Sequence, residues 1–147
     1  MDDTAFLHER IESYAGYTND VARQRSDEQI RAYVGEALAR LRERLRPAGA
    51  ASEALERLLV RCEFADQAAA HAFDSVEVSA DEIAATAAAD RELATLAVRA
   101  GDVAAAELEP FLARVGVALD RRWPGTGDRA ASASPRTSAI STPPSGG

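Results

Sequence analysis

Residues 26–46, SDEQIRAYVGEALARLRERLR, carry the clearest structural signal in this chain. Apolar residues recur three or four positions apart along this stretch, which is the spacing of one face of an α-helix. Ser26 and Gln29 have the spacing of a capping box, so we predict that the helix begins at Ser26. Pro47 and Gly49 predict where it ends. The predicted apolar face consists of Ile30, Val34, Ala37, Leu38, Leu41 and Leu45.

The same periodicity predicts further helices on both sides of this stretch. Ser79 and Glu82 form a second capping-box pair, so a helix should begin at Ser79. Gly101 suits the position after a helix end and Asp102 the next N-cap, which predicts a tight turn between two helices. We therefore expect an all-α fold, a single antiparallel bundle of four to five helices. The predicted helices cover about 3–14, 26–46, 52–72, 79–100 and a final segment that begins at 102.

The composition divides the chain into two parts. Residues 1–124 are predicted to form the helical bundle. Residues 125–147 consist almost wholly of Gly, Ser, Thr, Ala and Pro, with Ile140 as the one large aliphatic residue. Such a segment buries too little apolar surface to offset the entropy lost on ordering, so we predict a disordered C-terminal tail.

Cysteine content and hydropathy predict a soluble, cytoplasmic protein. The single cysteine, Cys62, excludes an internal disulfide framework and a Cys-rich zinc site. The N-terminal residues lack the basic and apolar regions of a secretory signal. No apolar run approaches the ~18 residues of a membrane span, so no membrane association is expected.

Charge is distributed unevenly. Residues 62–109 contain 11 acidic and 2 basic residues, so this segment should repel phosphate backbones, and nucleic-acid binding is not expected. All 17 basic residues of the chain are Arg. Wound onto a helix, the Arg residues of LARLRERLR flank the apolar stripe on both sides, as is typical of Arg side chains around a packed seam. These residues are Arg40, Arg42, Arg44 and Arg46.

The third predicted helix has two apolar faces. One face carries Leu55, Leu59 and Cys62, and it should pack into the core. The opposite face carries Val60, Phe64, Gln67 and His71. We interpret this second face as a candidate partner surface.

Two carboxylates fall near the edges of inward-facing stripes, Asp66 on the third helix and Asp90 on the fourth. An unpaired carboxylate at such a position would be costly. The two residues form a candidate buried polar pair, either facing each other or meeting Arg61, Arg91 or a tyrosine. Alternatively, each reaches solvent or an Arg.

A helix-turn-helix can be drawn through residues 79–97, with its turn at Ala88 and its second helix starting at Asp90. This arrangement would make the chain a DNA-binding regulator. The second helix would begin Asp90-Arg91-Glu92, and acidic residues there oppose contact with phosphates and base edges.

Residues 96–119, LAVRAGDVAAAELEPFLARVGVAL, resemble the last two helices of histidine-phosphotransfer domains in their overall residue pattern. That resemblance implies a signalling bundle in which His71 accepts a phosphoryl group. The residues that follow His71 are AFDS, whereas the family usually has a Leu-Lys-Gly turn there.

No nucleophile–base pair, phosphate-binding loop or set of metal ligands stands out in the sequence. We therefore expect no catalytic residues, no cofactor and no metal. The function we predict is a non-enzymatic interaction protein with an accessory, regulatory or scaffolding role. Its partner would be another protein, and because the Ala-rich helices bury little apolar area each, a homo-oligomer that completes the core is a further hypothesis.

Overall fold

The computed structural model describes residues 2–12, 14–17, 19–63 and 79–122. They form five α-helices and contain no strand, which confirms the all-α fold class. Two short 3₁₀ turns, Ala100–Asp102 and Ala105–Glu107, connect the last two helices. The helices are α1 (Asp3–Arg10), α2 (Asp20–Leu45), α3 (Gly49–Glu63), α4 (Ala80–Arg99) and α5 (Leu108–Arg121).

The four long helices form two antiparallel hairpins. In the first hairpin, Arg42 near the end of α2 bonds to Glu56 in the middle of α3. Arg31, farther back in α2, reaches the carbonyl of Cys62 near the end of α3, so the two helices run in opposite directions. In the second, Thr86 in the early part of α4 donates to the carbonyl of Arg122, directly after α5.

The hairpins pack side by side, so that α2 lies beside α4 and α3 beside α5. Nη2 of Arg44, near the end of α2, lies 2.7 Å from the carbonyl oxygen of Ala100, just after α4. These two helices therefore run in the same direction. The short helix α1 packs against α4, where Asp3 pairs with Arg91.

The predicted apolar faces form the core. Five of the six residues predicted for α2 are buried, and the sixth, Leu45, is half-buried. The apolar face of α5 is also buried along its whole length, because its residues recur at the helical period. It consists of Leu108, Phe111, Leu112, Val115, Ala118 and Leu119.

The predicted start of α2 at Ser26 is wrong, because the helix begins six residues earlier at Asp20. The side chain of Asn19 accepts a hydrogen bond from the backbone N–H of Ala22 at 2.9 Å and so supplies the N-cap. The Ser26 hydroxyl is buried and makes a tertiary contact, donating to the carbonyl of Gly16 at 2.7 Å. A capping-box spacing inside a longer helix thus misplaced the boundary.

The predicted start of the fourth helix is confirmed, since Ser79 Oγ accepts from the N–H of Glu82 at 3.1 Å. The predicted tight turn at its end is wrong. Gly101 and Asp102 lie inside a 3₁₀ turn, and α5 starts only at Leu108. The reason is that Val103 between the two 3₁₀ turns is extended and buried, so the connection contributes an apolar side chain to the core.

The helix-turn-helix drawn through 79–97 does not form, because α4 is continuous from Ala80 to Arg99. Ala88, at the predicted turn, is a strong helix former, and no Gly or Pro interrupts this stretch. Asp90, at the predicted start of a recognition helix, points into the bundle and is fully buried. The geometry of a base-reading helix is therefore absent from this segment.

Some predictions fall on residues that the structure does not describe. Phe64, Asp66, Gln67 and His71 lie in 64–78, and the predicted tail covers 125–147; both ranges are outside the described residues. Within the described ranges, no helix is both long enough and apolar enough to cross a membrane.

Candidate functional site

Asp90, in the middle of α4, is the centre of a buried polar cluster that also includes residues from the early part of α2 and the end of α5. Its relative solvent exposure is 0%, although it carries a carboxylate. A buried charge is tolerated only where other groups pair with it and satisfy its hydrogen bonds. The neighbours of Asp90 meet both requirements.

Arg122 bridges two carboxylates. Its Nε lies 2.6 Å from Oδ1 of Asp90, and its Nη2 lies 2.8 Å from Oδ1 of Asp27 on α2. Oδ2 of Asp27 in turn accepts from Arg31, at 2.9 Å from Nη2. The result is an alternating chain of charges, Arg31–Asp27–Arg122–Asp90, in which each carboxylate is next to a guanidinium.

Two tyrosines from the segment after α1 complete the cluster. Tyr14 Oη donates to Oδ2 of Asp90 at 3.0 Å, and Tyr17 Oη donates to the same oxygen. The Tyr17 hydroxyl also accepts from Nη2 of Arg122 at 3.0 Å. The two rings pack edge to face with centroids 6.0 Å apart, a favoured aromatic geometry.

The cluster perturbs the acid–base behaviour of its members. Burial raises the pKa of Asp90, and the Arg122 charge together with the tyrosine hydrogen bonds opposes that effect only in part. Burial and the Asp90 charge raise the pKa of Tyr14 and of Tyr17, so both hydroxyls stay protonated and donate. The flanking carboxylates and Tyr17 hold the pKa of Arg122 well above its usual value, against the effect of burial.

The cluster is closed, because its polar atoms bond to one another. In the part of the chain that the structure describes, no buried side-chain nitrogen or oxygen lacks a hydrogen-bond partner. Among the same residues, no three His, Cys, Asp or Glu side chains lie close enough to hold a metal ion. Chemically, this arrangement ties α2, α4, α5 and the segment around Tyr14 and Tyr17 together.

The candidate residues have different outcomes. Asp90 lies in the cluster, whereas Asp66 is outside the described residues, so their pairing stays a prediction. Arg91 pairs with Asp3 at 3.1 Å. Of the candidate partner surface, only Val60 is described, and it is 53% exposed.

Sequence reasoning allowed a tyrosine or an Arg as a partner of Asp90, but it did not identify Tyr14, Tyr17 or Arg122. It also missed Asp27, which pairs with Arg122. Tyr14 and Tyr17 stand at i and i+3, a spacing that would have indicated one shared face had they been helical. Arg122 follows Arg121 at a helix end, where basic residues are commonly solvent-exposed. Neither pattern contains a signal for burial against a residue on another helix.

A second feature lies at the opposite end of the bundle, in a groove of about 350 Å³ between α2 and α4. Its floor consists of small residues and one leucine, namely Ala37, Leu41, Ala97, Ala100 and Gly101. Tyr33, Arg40 and Arg44 line it from α2, and Val98, which is 60% exposed, lines it from α4. Apolar and cationic groups thus meet on an accessible surface.

Comparison with known proteins gives no match: no protein-family model fits the chain, and no curated protein or solved structure is significantly similar to it. The geometry of the two features above is therefore the basis for a functional argument.

Proposed function

We propose that this chain is a non-enzymatic interaction protein that acts through contacts with another protein, in an accessory, regulatory or scaffolding role. The observation that carries the proposal is the groove between α2 and α4. A single exposed apolar residue is ordinary on a protein surface, but Val98 is 60% exposed and borders a groove whose floor is also apolar. Grooves between helices commonly receive an amphipathic helix of a partner.

The buried cluster supports a binding role over a catalytic one. Catalytic acids and bases need access to a substrate, whereas Asp90, Tyr14 and Tyr17 bond to each other and to Arg122 inside the core. Their arrangement is suited to holding the helices in one relative position. A rigid scaffold of this kind keeps a binding surface in a constant shape.

The contacts of the Arg run favour a protein partner over nucleic acid. Arg42 pairs with Glu56 at 3.1 Å, and Arg44 donates to the backbone carbonyls of Ala100 and Val103. The charge of Arg42 is thus neutralised within the bundle, and one guanidinium nitrogen of Arg44 is already bonded to two carbonyls. A phosphate-binding patch would need several of the Arg residues free on one face.

Site-specific photo-crosslinking in the native cells tests the proposal. We would place a photoreactive residue at Val98 and, separately, at Val60, with exposed Glu28 as a matched control. We expect Val98 or Val60 to form an adduct with one defined protein and Glu28 to form none. The absence of any protein adduct at both valines, with the variants folded, would refute an interaction role for these surfaces.

A further inference from the structure

The shape of the α2–α4 groove suits a third helix. Its two walls, α2 and α4, run in the same direction, since the bond from Arg44 to the carbonyl of Ala100 places the ends of both helices together. Its floor consists of Leu41 and of Ala and Gly residues, whose small side chains allow close approach between helix axes. Tyr33 and Val98 add larger apolar surface on opposite walls.

The charge along the groove has one sign on the α2 side. Arg40 and Arg44 stand one helical turn apart, so their side chains lie on the same edge. Arg40 is exposed, and within the described residues it makes no hydrogen bond or ion pair. Arg44 donates through Nη2 to two carbonyls, at 2.7 Å from Ala100 and 2.8 Å from Val103, and these neutral acceptors leave its positive charge uncompensated.

We infer that this groove binds an acidic amphipathic helix of another protein, an inference that rests on the proposed function. The apolar face of that helix packs on the Ala-rich floor between Tyr33 and Val98. Two carboxylates one turn apart on one edge of the helix pair with Arg40 and Arg44. The C-terminal segment of the chain itself, residues 125–147, is a poor occupant because its charge is positive, with one Asp and two Arg.

Designed peptides test the charge requirement directly. Three fluorescently labelled helical peptides share one apolar face and differ only in two edge residues at i and i+4, which are Glu, Gln or Lys. Binding to the full chain is measured by fluorescence anisotropy at low salt. We expect the Glu peptide to bind about tenfold more tightly than the Lys peptide and the Gln peptide to fall between them.

Charge reversal assigns the site. Arg40→Glu should weaken binding of the Glu peptide by about fivefold and strengthen that of the Lys peptide. The matched control is Arg57→Glu, an equal charge change at an exposed Arg on α3, and it should change neither affinity. If both variants unfold at the same midpoint temperature as the wild type, the fold is intact. If Arg40→Glu unfolds at a lower temperature, Arg40→Gln is used in its place.

Each other outcome overturns the inference. Equal affinity for the Glu and Lys peptides, no binding of any peptide, or an equal effect of Arg57→Glu would exclude an acidic helix in this groove. A dimer of the chain alone, seen by sedimentation and disrupted by Arg40→Glu, would assign the groove to a second copy. If the peptides fail but photo-crosslinking at Val60 captures a defined protein, the proposed function stands and this inference alone is wrong.

Discussion

Nε of Arg122 lies 2.6 Å from Oδ1 of Asp90, and the two side chains are only 4% and 0% exposed. This ion pair joins the residue after the last turn of α5 to the middle of α4. The carbonyl of Arg122 also accepts a hydrogen bond from Thr86, so side chain and backbone of one residue hold the same helix pair. Replacing a whole buried ion pair by apolar residues is often neutral, whereas removing one partner leaves a buried charge alone.

Asp90→Asn should therefore be strongly destabilising. The substitution keeps the size of the side chain but leaves the Arg122 guanidinium with a weaker acceptor, and we expect a loss of about 3 kcal/mol in the free energy of unfolding near neutral pH. Urea denaturation followed by circular dichroism measures it. The control is Asp120→Asn, which removes the exposed ion pair with Arg61 and should cost less than about 0.5 kcal/mol. If the two variants lost similar amounts of unfolding free energy, the burial of the Asp90–Arg122 pair would not explain its contribution to stability.

The two tyrosines should differ in their contributions to stability. The Tyr17 hydroxyl donates to Asp90 and accepts from Arg122, so it bonds to both charged groups, whereas the Tyr14 hydroxyl donates to Asp90 and does not bond to Arg122. Each hydrogen bond to a charged group contributes about 1.5–3 kcal/mol. We expect Tyr17→Phe to lower the free energy of unfolding by at least about 1 kcal/mol more than Tyr14→Phe. The same denaturation measurement checks this order, and a larger effect of Tyr14→Phe would reverse the assignment.

The elements that sequence predicted well depend on local or periodic signals. The apolar face of α2 is predicted correctly because its buried residues repeat at the helical period, and the start at Ser79 is predicted correctly because a cap acts within one turn. Ser26 has the same local spacing as Ser79, yet its hydroxyl bonds to Gly16 across the fold. A local pattern cannot distinguish a cap from a tertiary contact when a better cap, here Asn19, precedes it.

The partners of Asp90 show what the sequence does not contain. Tyr17 is 73 residues from Asp90 along the chain and Arg122 is 32 residues from it. Their meeting depends on the relative position of three helices and a connecting segment, which the periodicity of one helix does not specify. The sequence shows that Asp90 lies at the edge of an apolar stripe, but it does not show that Arg122 is the residue that pairs with it.

Ser26→Ala provides a test of the tertiary contact that replaces the predicted cap. Ser26 Oγ donates to Gly16 O at 2.7 Å and accepts from Ala15 N at 3.1 Å, so its removal leaves two backbone groups without this partner. We expect Ser26→Ala to lower the free energy of unfolding by about 1–3 kcal/mol. Ser79→Ala, at an exposed N-cap, should cost about 1 kcal/mol. Hydrogen exchange should show reduced protection of the backbone amides around residues 15–17 in Ser26→Ala but not in Ser79→Ala. Equal protection of these amides in the two variants would contradict the contact between Ser26 and Gly16.

Cys62 should be unreactive in the folded protein. Its side chain is buried on α3, and burial raises the pKa of the thiol to about 11, so very little thiolate exists near pH 8. In an unfolded chain the thiol pKa is about 8.5. The smaller thiolate fraction of the folded protein alone should therefore lower the rate of thiol modification by about two orders of magnitude. Reaction with a thiol-specific reagent, with and without urea at the same pH, measures the ratio. A native rate within about tenfold of the unfolded rate would show that Cys62 is accessible.

The pH dependence of stability should reveal the buried carboxyl of Asp90. Because burial raises its pKa above the ordinary 3.8, the folded protein binds this proton more tightly than the unfolded chain does. The stabilisation linked to this proton is fully present below the unfolded pKa and is lost as pH rises through the folded pKa. Exposed carboxylates contribute equally to wild type and Asp90→Asn, so they cancel in the difference between the two unfolding free energies.

We therefore expect the stability advantage of the wild type over Asp90→Asn to be larger near pH 4 than near pH 7. Denaturant unfolding of both proteins across this range measures it. Asp120→Asn serves as the control, since Asp120 is 70% exposed and its difference from wild type should change little. If the advantage over Asp90→Asn instead grows as pH rises, the Arg122 charge outweighs burial, and the folded pKa of Asp90 lies below its ordinary value.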